Sequence, residues 1–205
     1  MKVLLVNGSP RRNGNTFRAL SEVASALNGE GIETEIFQIG TKPVRGCAAC
    51  CACVGKGKCV FDDDVCNELA AKFAEADGVV VGSPTYYGQP NGALLALLQR
   101  ACFSGRAGVQ GKPAASVAVC RRGGSTAAFQ CLNMPFEMLN SIIIGSQYWN
   151  VAFGAAPGDV ARDTEGMQTM RTLGRNMAWV LKNLHREGAV TRPLAEEPQP
   201  MNFIR

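Results

Sequence analysis

Lys2-Val3-Leu4-Leu5-Val6-Asn7-Gly8-Ser9-Pro10-Arg11-Arg12-Asn13-Gly14-Asn15-Thr16 is the stretch whose reading decides the fold. Lys2 to Val6 is a short apolar run of the buried-strand kind. From Thr16 to Leu27 apolar residues recur at helical spacing, with Asn15 placed as N-cap and Asn28-Gly29 as the stop. A strand that feeds a helix through such a turn presents free backbone N–H groups and the positive end of the helix dipole, and a phosphate gains from both. Ser9, Asn15 and Thr16 add hydrogen-bond donors, and an Arg adds charge. The turn is not a Walker A loop, because Asn15 stands where the Lys would be, and it is not G-x-G-x-x-G. A polar turn that needs Gly and Pro only for its geometry fits the same residues.

Working outward, Glu33 to Ile39 alternates like a strand and Asp63 to Ala76 reads as a helix, with Asp62, Asp63 and Asp64 favourable at its positive end. Gly78 to Gly82 is a buried strand, Gly92 to Cys102 a helix and Ala114 to Cys120 a strand. Thr126 to Asn140 is helical despite Pro135, Ser141 to Ile144 begins a fifth strand, and Thr164 to His185 is a long amphipathic helix. Strands alternating with helices predict an α/β fold: a doubly wound, five-stranded parallel sheet in the order 2-1-3-4-5. Ligands in that architecture bind beyond the C-terminal ends of strands 1 and 3, where the order reverses. Residues 1–187 form the domain, 41–61 is a Cys-rich insertion after strand 2, and 188–205 is an extended tail.

The chain has 205 residues, 46% of them hydrophobic and 19% charged, with a net charge of +4. This is a globular composition with material for a core. The basic residues are scattered, which argues against nucleic acid as a partner. No stretch approaches the roughly 18 consecutive apolar residues of a membrane span, and the opening residues lack the apolar length and cleavage site of a signal peptide. The expectation is a cytoplasmic protein without a membrane partner. In that reducing compartment nine cysteines suggest metal or redox chemistry before disulfides.

Two further loops fall at the same edge of the sheet. The third strand ends in Gly82-Ser83-Pro84-Thr85-Tyr86-Tyr87-Gly88-Gln89-Pro90, where aromatic faces suit a flat heterocycle. The fourth ends in Cys120-Arg121-Arg122-Gly123-Gly124-Ser125, where the glycines permit close backbone approach and an Arg can stabilise negative charge. Gly8-Ser9-Pro10-Arg11 with Asn13, Asn15 and Thr16, followed by Ser83-Pro84-Thr85-Tyr86, resembles the NADPH-dependent FMN reductase group of flavodoxin-like proteins. The resemblance runs from Met1 to about residue 187 and includes Asp163-Thr164-Glu165-Gly166. It implies a flavodoxin-like fold in which Ser9, Arg11, Asn13, Asn15 and Thr16 hold the FMN phosphate. It implies that Pro84, Thr85, Tyr86, Tyr87 and Gly88 border the isoalloxazine, and that Arg121, Arg122, Gly123 and Gly124 lie near its pyrimidine side. It also implies a homodimer or homotetramer in which a second subunit walls the ring.

Cys47, Cys50, Cys53 and Cys59 read C-x2-C-x2-C-x5-C. Short spacings of this kind let thiolates converge on one cluster, although the last gap is longer than in ferredoxins. The insertion is similar to that of iron–sulfur flavoproteins, where a [4Fe-4S] cluster feeds electrons to FMN. A zinc site and free or oxidised thiols fit the same spacing. Cys51 has no assigned role, while Cys66, Cys102, Cys120 and Cys131 are expected in the core.

The function expected is that of an FMN-dependent oxidoreductase. Electrons pass from NAD(P)H or a ferredoxin-like donor to a small-molecule acceptor such as a quinone. No side chain is assigned as a general acid or base, since the cofactor carries the chemistry. The competing reading is a flavodoxin-like electron carrier or a cysteine-based redox sensor.

Overall fold

Lys2–Asn7 forms β1, buried from Val3 onward. It has neighbours on both edges: β2 (Glu33–Gln38) on one and β3 (Gly78–Tyr86) on the other, both parallel. Side chains alternate across a strand, so β1 feeds two cores. Val3 and Leu5 pack with Leu20, Val23 and Leu27 of α1 (Asn15–Gly29) and with Met170, Leu173 and Met177 of α6 (Thr164–His185). Leu4 and Val6 pack on the other face with Leu69 and Phe73 of α2 (Cys66–Glu75) and with Leu94, Leu97 and Leu98 of α3 (Gly92–Ser104). Apolar burial on both faces is what a parallel sheet requires. The computed structural model describes residues 1–193 and 196. The remaining residues of the tail expected to be extended, 194, 195 and 197–205, lie outside the described ones.

Beyond β3 the chain forms a two-residue strand, β4 (Gln89–Pro90), that turns back antiparallel onto Thr85 and Tyr86. After α3 come a single helical turn, α4 (Arg106–Val109), the wholly buried strand β5 (Pro113–Cys120) and α5 (Ser125–Met138). The parallel order is β2-β1-β3-β5, and the outermost position is shared by two short strands, β6 (Ile142–Ile143) and β7 (Val151–Phe153), both parallel to β5. The doubly wound class therefore stands, while the count differs from five: the fifth strand is broken in two and a hairpin is added. The break has a local cause. Ser146 donates to the Asn150 side chain at 2.7 Å and the Asn150 amide reaches Ile144 O at 3.3 Å. These side chains give the excursion its own hydrogen bonds in place of a ladder.

The hairpin turn Tyr87-Gly88 has φ of 50° and 76°, the left-handed pair that a two-residue turn needs between twisted strands. Helix α2 starts at Cys66, three residues later than expected. Asp63 is drawn away by Arg45, and Asp64 both accepts from Cys66 N at 3.0 Å and pairs with Arg100. One helix crossing depends on the absence of a side chain. A Cβ at Gly174 would lie 2.7 Å from Ala26 Cβ and 2.8 Å from Val23 O, so α1 and α6 touch backbone to backbone there.

Candidate functional site

The turn Gly8 to Asn15 is tied down from below by buried polar groups. Gly8 donates N–H to Gly82 O at 2.8 Å, joining the ends of β1 and β3. The Asn7 side chain donates to Gln38 Oε1 at 2.5 Å, and the Gln38 amide donates to Ser9 O at 2.6 Å. Ser9 N donates to Asn7 Oδ1 at 3.2 Å, and Arg11 N to Ser9 Oγ at 3.1 Å. From the third-strand side, Asn91 donates to Gly8 O at 2.8 Å, and Asn91 N donates to Ser83 Oγ at 2.9 Å.

The first turn of α1, by contrast, has no side-chain cap and no acidic residue. The N-cap residue, Gly14, has no side chain to offer, so the leading N–H groups stay open for an external acceptor. Asn15, expected as the N-cap, instead crosses to the loop after β7: it donates to Ala156 O at 2.9 Å and accepts from Val160 N at 3.3 Å.

A cleft opens above this turn. Its walls are Ser9, Arg11, Gly14, Asn15 and Thr16 on one side, Pro84, Thr85 and Tyr86 on the second, and Val119, Cys120 and Arg121 on the third. Gly154 and Ala155 close the fourth side. The three loops read from sequence thus meet at one place, the C-terminal edge where the sheet order reverses. Of the expected residues, Asn13, Tyr87, Gly88, Arg122, Gly123 and Gly124 lie outside the lining. Tyr87 is fully exposed. Gly88 and Gly124 instead hold the second and third walls together, since a Cβ at Gly124, where φ is 85°, would lie 2.7 Å from Gly88 Cα.

Cys120, expected as a core residue, is buried yet floors the cleft. Gly154 and Ala155 are lining residues that sequence reading missed. The only signal for them was a Gly after an apolar pair, because a Cβ at Gly154 would collide with Val160 N at 2.7 Å and with Asn15.

The residues present suit a phosphate-bearing flat ligand. The N-terminus of α1 is uncapped, Arg11 is exposed beside it, and Thr85 Oγ1 is buried against the cleft with no hydrogen-bond partner among the described residues. A buried hydroxyl without a partner is costly, and a ligand edge would satisfy it.

The Cys-rich segment forms a second hollow on the face of α2 and α3. Cys47, Cys50, Cys51, Cys53 and Cys59 line it together with Arg100 and Phe103. Two clamps hold its borders. Asn67 accepts from Cys59 N at 2.8 Å and donates to Cys59 O at 3.1 Å. Arg45 N donates to Asp64 at 2.9 Å, and the Arg45 guanidinium lies over the Phe61 ring at 4.5 Å. Burial raises the Cys53 thiol, and its neighbours Cys59, Cys50 and Cys47 raise it further. Burial also acts to raise Cys59, but the hydrogen bond from Arg100 and backbone N–H groups outweigh it and hold this thiol below its ordinary value.

As placed, no three His, Cys, Asp or Glu side chains among the described residues form a set able to hold one metal ion. The donor chemistry nevertheless suits a thiolate-held cluster, with five cysteines around one hollow and the buried Arg100 guanidinium donating to one of them. Of the remaining cysteines, Cys66 and Cys102 are core residues as expected, pushed by burial up to about 11 and about 12. Cys131 is half-buried rather than part of the core.

Residues 1–156 match the family described as NADPH-dependent FMN reductase. An iron-sulfur flavoprotein of Methanocaldococcus jannaschii is 36% identical over 89% of this chain and 98% of its own length. Another, from Methanosarcina thermophila, is 31% identical over 89% of this chain and 96% of its own. Among solved structures, RosB with a bound 8-demethyl-8-formylriboflavin-5'-phosphate intermediate superposes with a TM-score of 0.68 at 15% identity, covering 100% of this chain and 95% of that one. An archaeal flavodoxin superposes with a TM-score of 0.61, also at 15% identity, over 89% and 99%. At such identities these two show that the fold is flavodoxin-like.

The orphaned hydroxyl gives a direct test. Thr85→Val removes a buried group that lacks a partner, so the ligand-free protein is expected to melt at the same or a higher temperature. If FMN uses that hydroxyl, titration should show affinity weakened about threefold to tenfold, the worth of one neutral hydrogen bond. Unchanged FMN affinity would place the ring elsewhere.

Proposed function

The chain belongs to the NADPH-dependent FMN reductase family, and from that premise we propose that it is an FMN-dependent oxidoreductase whose flavin lies in the cleft above Ser9 to Thr16. The observation that carries this reading is the uncapped start of α1 facing three converging loops. Ser9, Arg11, Asn13, Asn15 and Thr16 are assigned to the phosphate. Among these, the side chains of Ser9, Arg11 and Thr16 line the cleft with no competing long-range bond among the described residues, whereas that of Asn15 also fastens the loop after β7. Pro84, Thr85 and Tyr86 border the ring, and Arg121 brings positive charge to its far side. Gly88 and Gly124 shape these walls from outside, and Tyr87, Arg122 and Gly123 lie beyond the lining. Bound FMN supplies the redox chemistry, taking electrons from a reduced donor and giving them to an acceptor. The protein's part is to hold the phosphate, orient the ring and leave one face reachable.

The same reading assigns a [4Fe-4S] cluster to Cys47, Cys50, Cys53 and Cys59, with Cys51 outside it. Support comes from their shared hollow and from the relatives named iron-sulfur flavoproteins. With the cluster, a ferredoxin-like protein is the donor; NAD(P)H is the donor if the flavin works alone. The acceptor class is a small molecule such as a quinone. The working compartment is the cytoplasm, and no helix among the described residues is long and apolar enough to cross a membrane.

A homodimer or homotetramer completes the reading. Between α3 and α5 runs an apolar groove lined by Leu95, Leu98, Phe103, Met134 and Met138, with Phe103, Met134 and Met138 exposed. Large contiguous apolar patches of this kind mark protein contacts.

Three measurements test this. Cofactor extracted from protein purified without oxygen should chromatograph as FMN, because the cleft has one phosphate-sized turn; FAD as the main species would overturn the assignment. Iron and acid-labile sulfide should be present, and iron should collapse on Cys→Ser change at positions 47, 50, 53 or 59 and persist in Cys51→Ser. Iron-free protein after anaerobic reconstitution would remove the cluster from the account. Sedimentation should give a dimer or larger, and a stable monomer with full FMN occupancy would contradict the assembly.

A further inference from the structure

Arg100 is the largest fully buried side chain of the described residues. It stands on α3 among core positions, Leu97, Leu98 and Ala101, where an apolar residue would be ordinary. Its side chain is 1% exposed, and its ion-pair partner Asp64 is 3% exposed. Nη1 pairs with Asp64 and donates to Arg45 O at 3.2 Å. Nη2 donates to Phe61 O at 3.1 Å and to Cys59 Sγ at 3.4 Å. Nε has no partner among the described residues although it is buried at the wall of the cysteine hollow. A buried ion pair adds little stability over apolar side chains of the same size, so folding alone gives weak reason for a guanidinium here. Its donors instead point at the segment that carries the cysteines.

The potential of an iron–sulfur cluster depends on the net charge nearby and on hydrogen bonds to its sulfurs, and groups behind the ligands are part of that control. We infer that Arg100 is the tuning residue of the cysteine site: its buried cation and its N–H on Cys59 Sγ raise the reduction potential of the cluster held there. Asp64 moderates the effect by neutralising part of the charge. The inference rests on the cluster assignment made above. It concerns a residue that is not a ligand and touches no flavin wall.

The test is the cluster midpoint potential of anaerobically prepared holoprotein, read by EPR during a dye-mediated titration, in Arg100→Met, Arg100→Lys and Asp64→Asn. Arg100→Met should lower the potential by about tenfold in the reduction equilibrium, which is about 59 mV for one electron. Arg100→Lys should recover more than half of that shift. Asp64→Asn should move it the opposite way, upward. FMN content should stay at the wild-type level in all three.

A purely structural role would not produce shifts of opposite sign. If Arg100→Met fails to fold because Asp64 is left buried and unpaired, Asp64→Asn decides: a raised potential supports the inference, and an unchanged or lowered one overturns it. Wild-type potentials in all three variants would overturn it while leaving the cluster in place. Wild-type protein without iron would instead bring down the cluster assignment, and this inference with it.

Discussion

The hydrogen bond from Gly8 N to Gly82 O, 2.8 Å long, fixes the place on which the rest of the site depends. It joins the ends of β1 and β3 where the sheet order reverses. There is no room for a side chain at Gly8, whose Cβ would meet Gly82 O at 2.7 Å and Leu94 at 2.3 Å. Around this contact the Asn7–Gln38–Ser9 chain and Asn91 satisfy the turn's polar groups from within the protein. Buried polar groups must be paired, and here the pairing is all on the inner side. The N-terminus of α1 is left facing outward with its own donors free, which is the condition for holding an anion.

Helix α3 links the two sites. Its N-cap, Asn91, accepts from Ala93 N at 3.1 Å and braces the phosphate turn through Gly8. Nine residues later, roughly 13 Å along the axis at 1.5 Å per residue, Arg100 braces the cysteine segment. One rigid element thus sets the position of the cleft and of the thiol hollow. An exposed apolar groove runs along the outer side of the same helix.

Much of this was legible in the sequence, for identifiable reasons. Val3 to Val6 and Val79 to Val81 are unbroken apolar runs, which only a sheet covered on both faces explains, so the doubly wound class followed directly. Periodicity found α1 and α6 because their buried stripes are continuous. What stayed hidden depended on long-range partners. Asn15 has the chemistry of an N-cap, but it serves the loop at Ala156, far away in sequence. The split of the outer strand depends on Ser146 and Asn150 bonding each other. The hairpin at Tyr87 depends on a left-handed φ that a Tyr does not advertise. Cys120 reads as core because it closes an apolar strand, and it is buried, but its place in the cleft floor follows only from where β5 ends. Arg100 carried no sequence signal at all, being a single cation in an apolar helix whose partners lie 36 to 55 positions upstream.

The central claim is that the turn Ser9 to Thr16 holds the flavin phosphate at the uncapped start of α1. A crystal structure of the anaerobically purified holoprotein measures this most directly. The account predicts phosphate oxygens within hydrogen-bonding distance of Ser9, Thr16 and the first N–H groups of α1, with the ring against Thr85 and Tyr86. A flavin bound elsewhere, or a phosphate that leaves those N–H groups untouched, would contradict it.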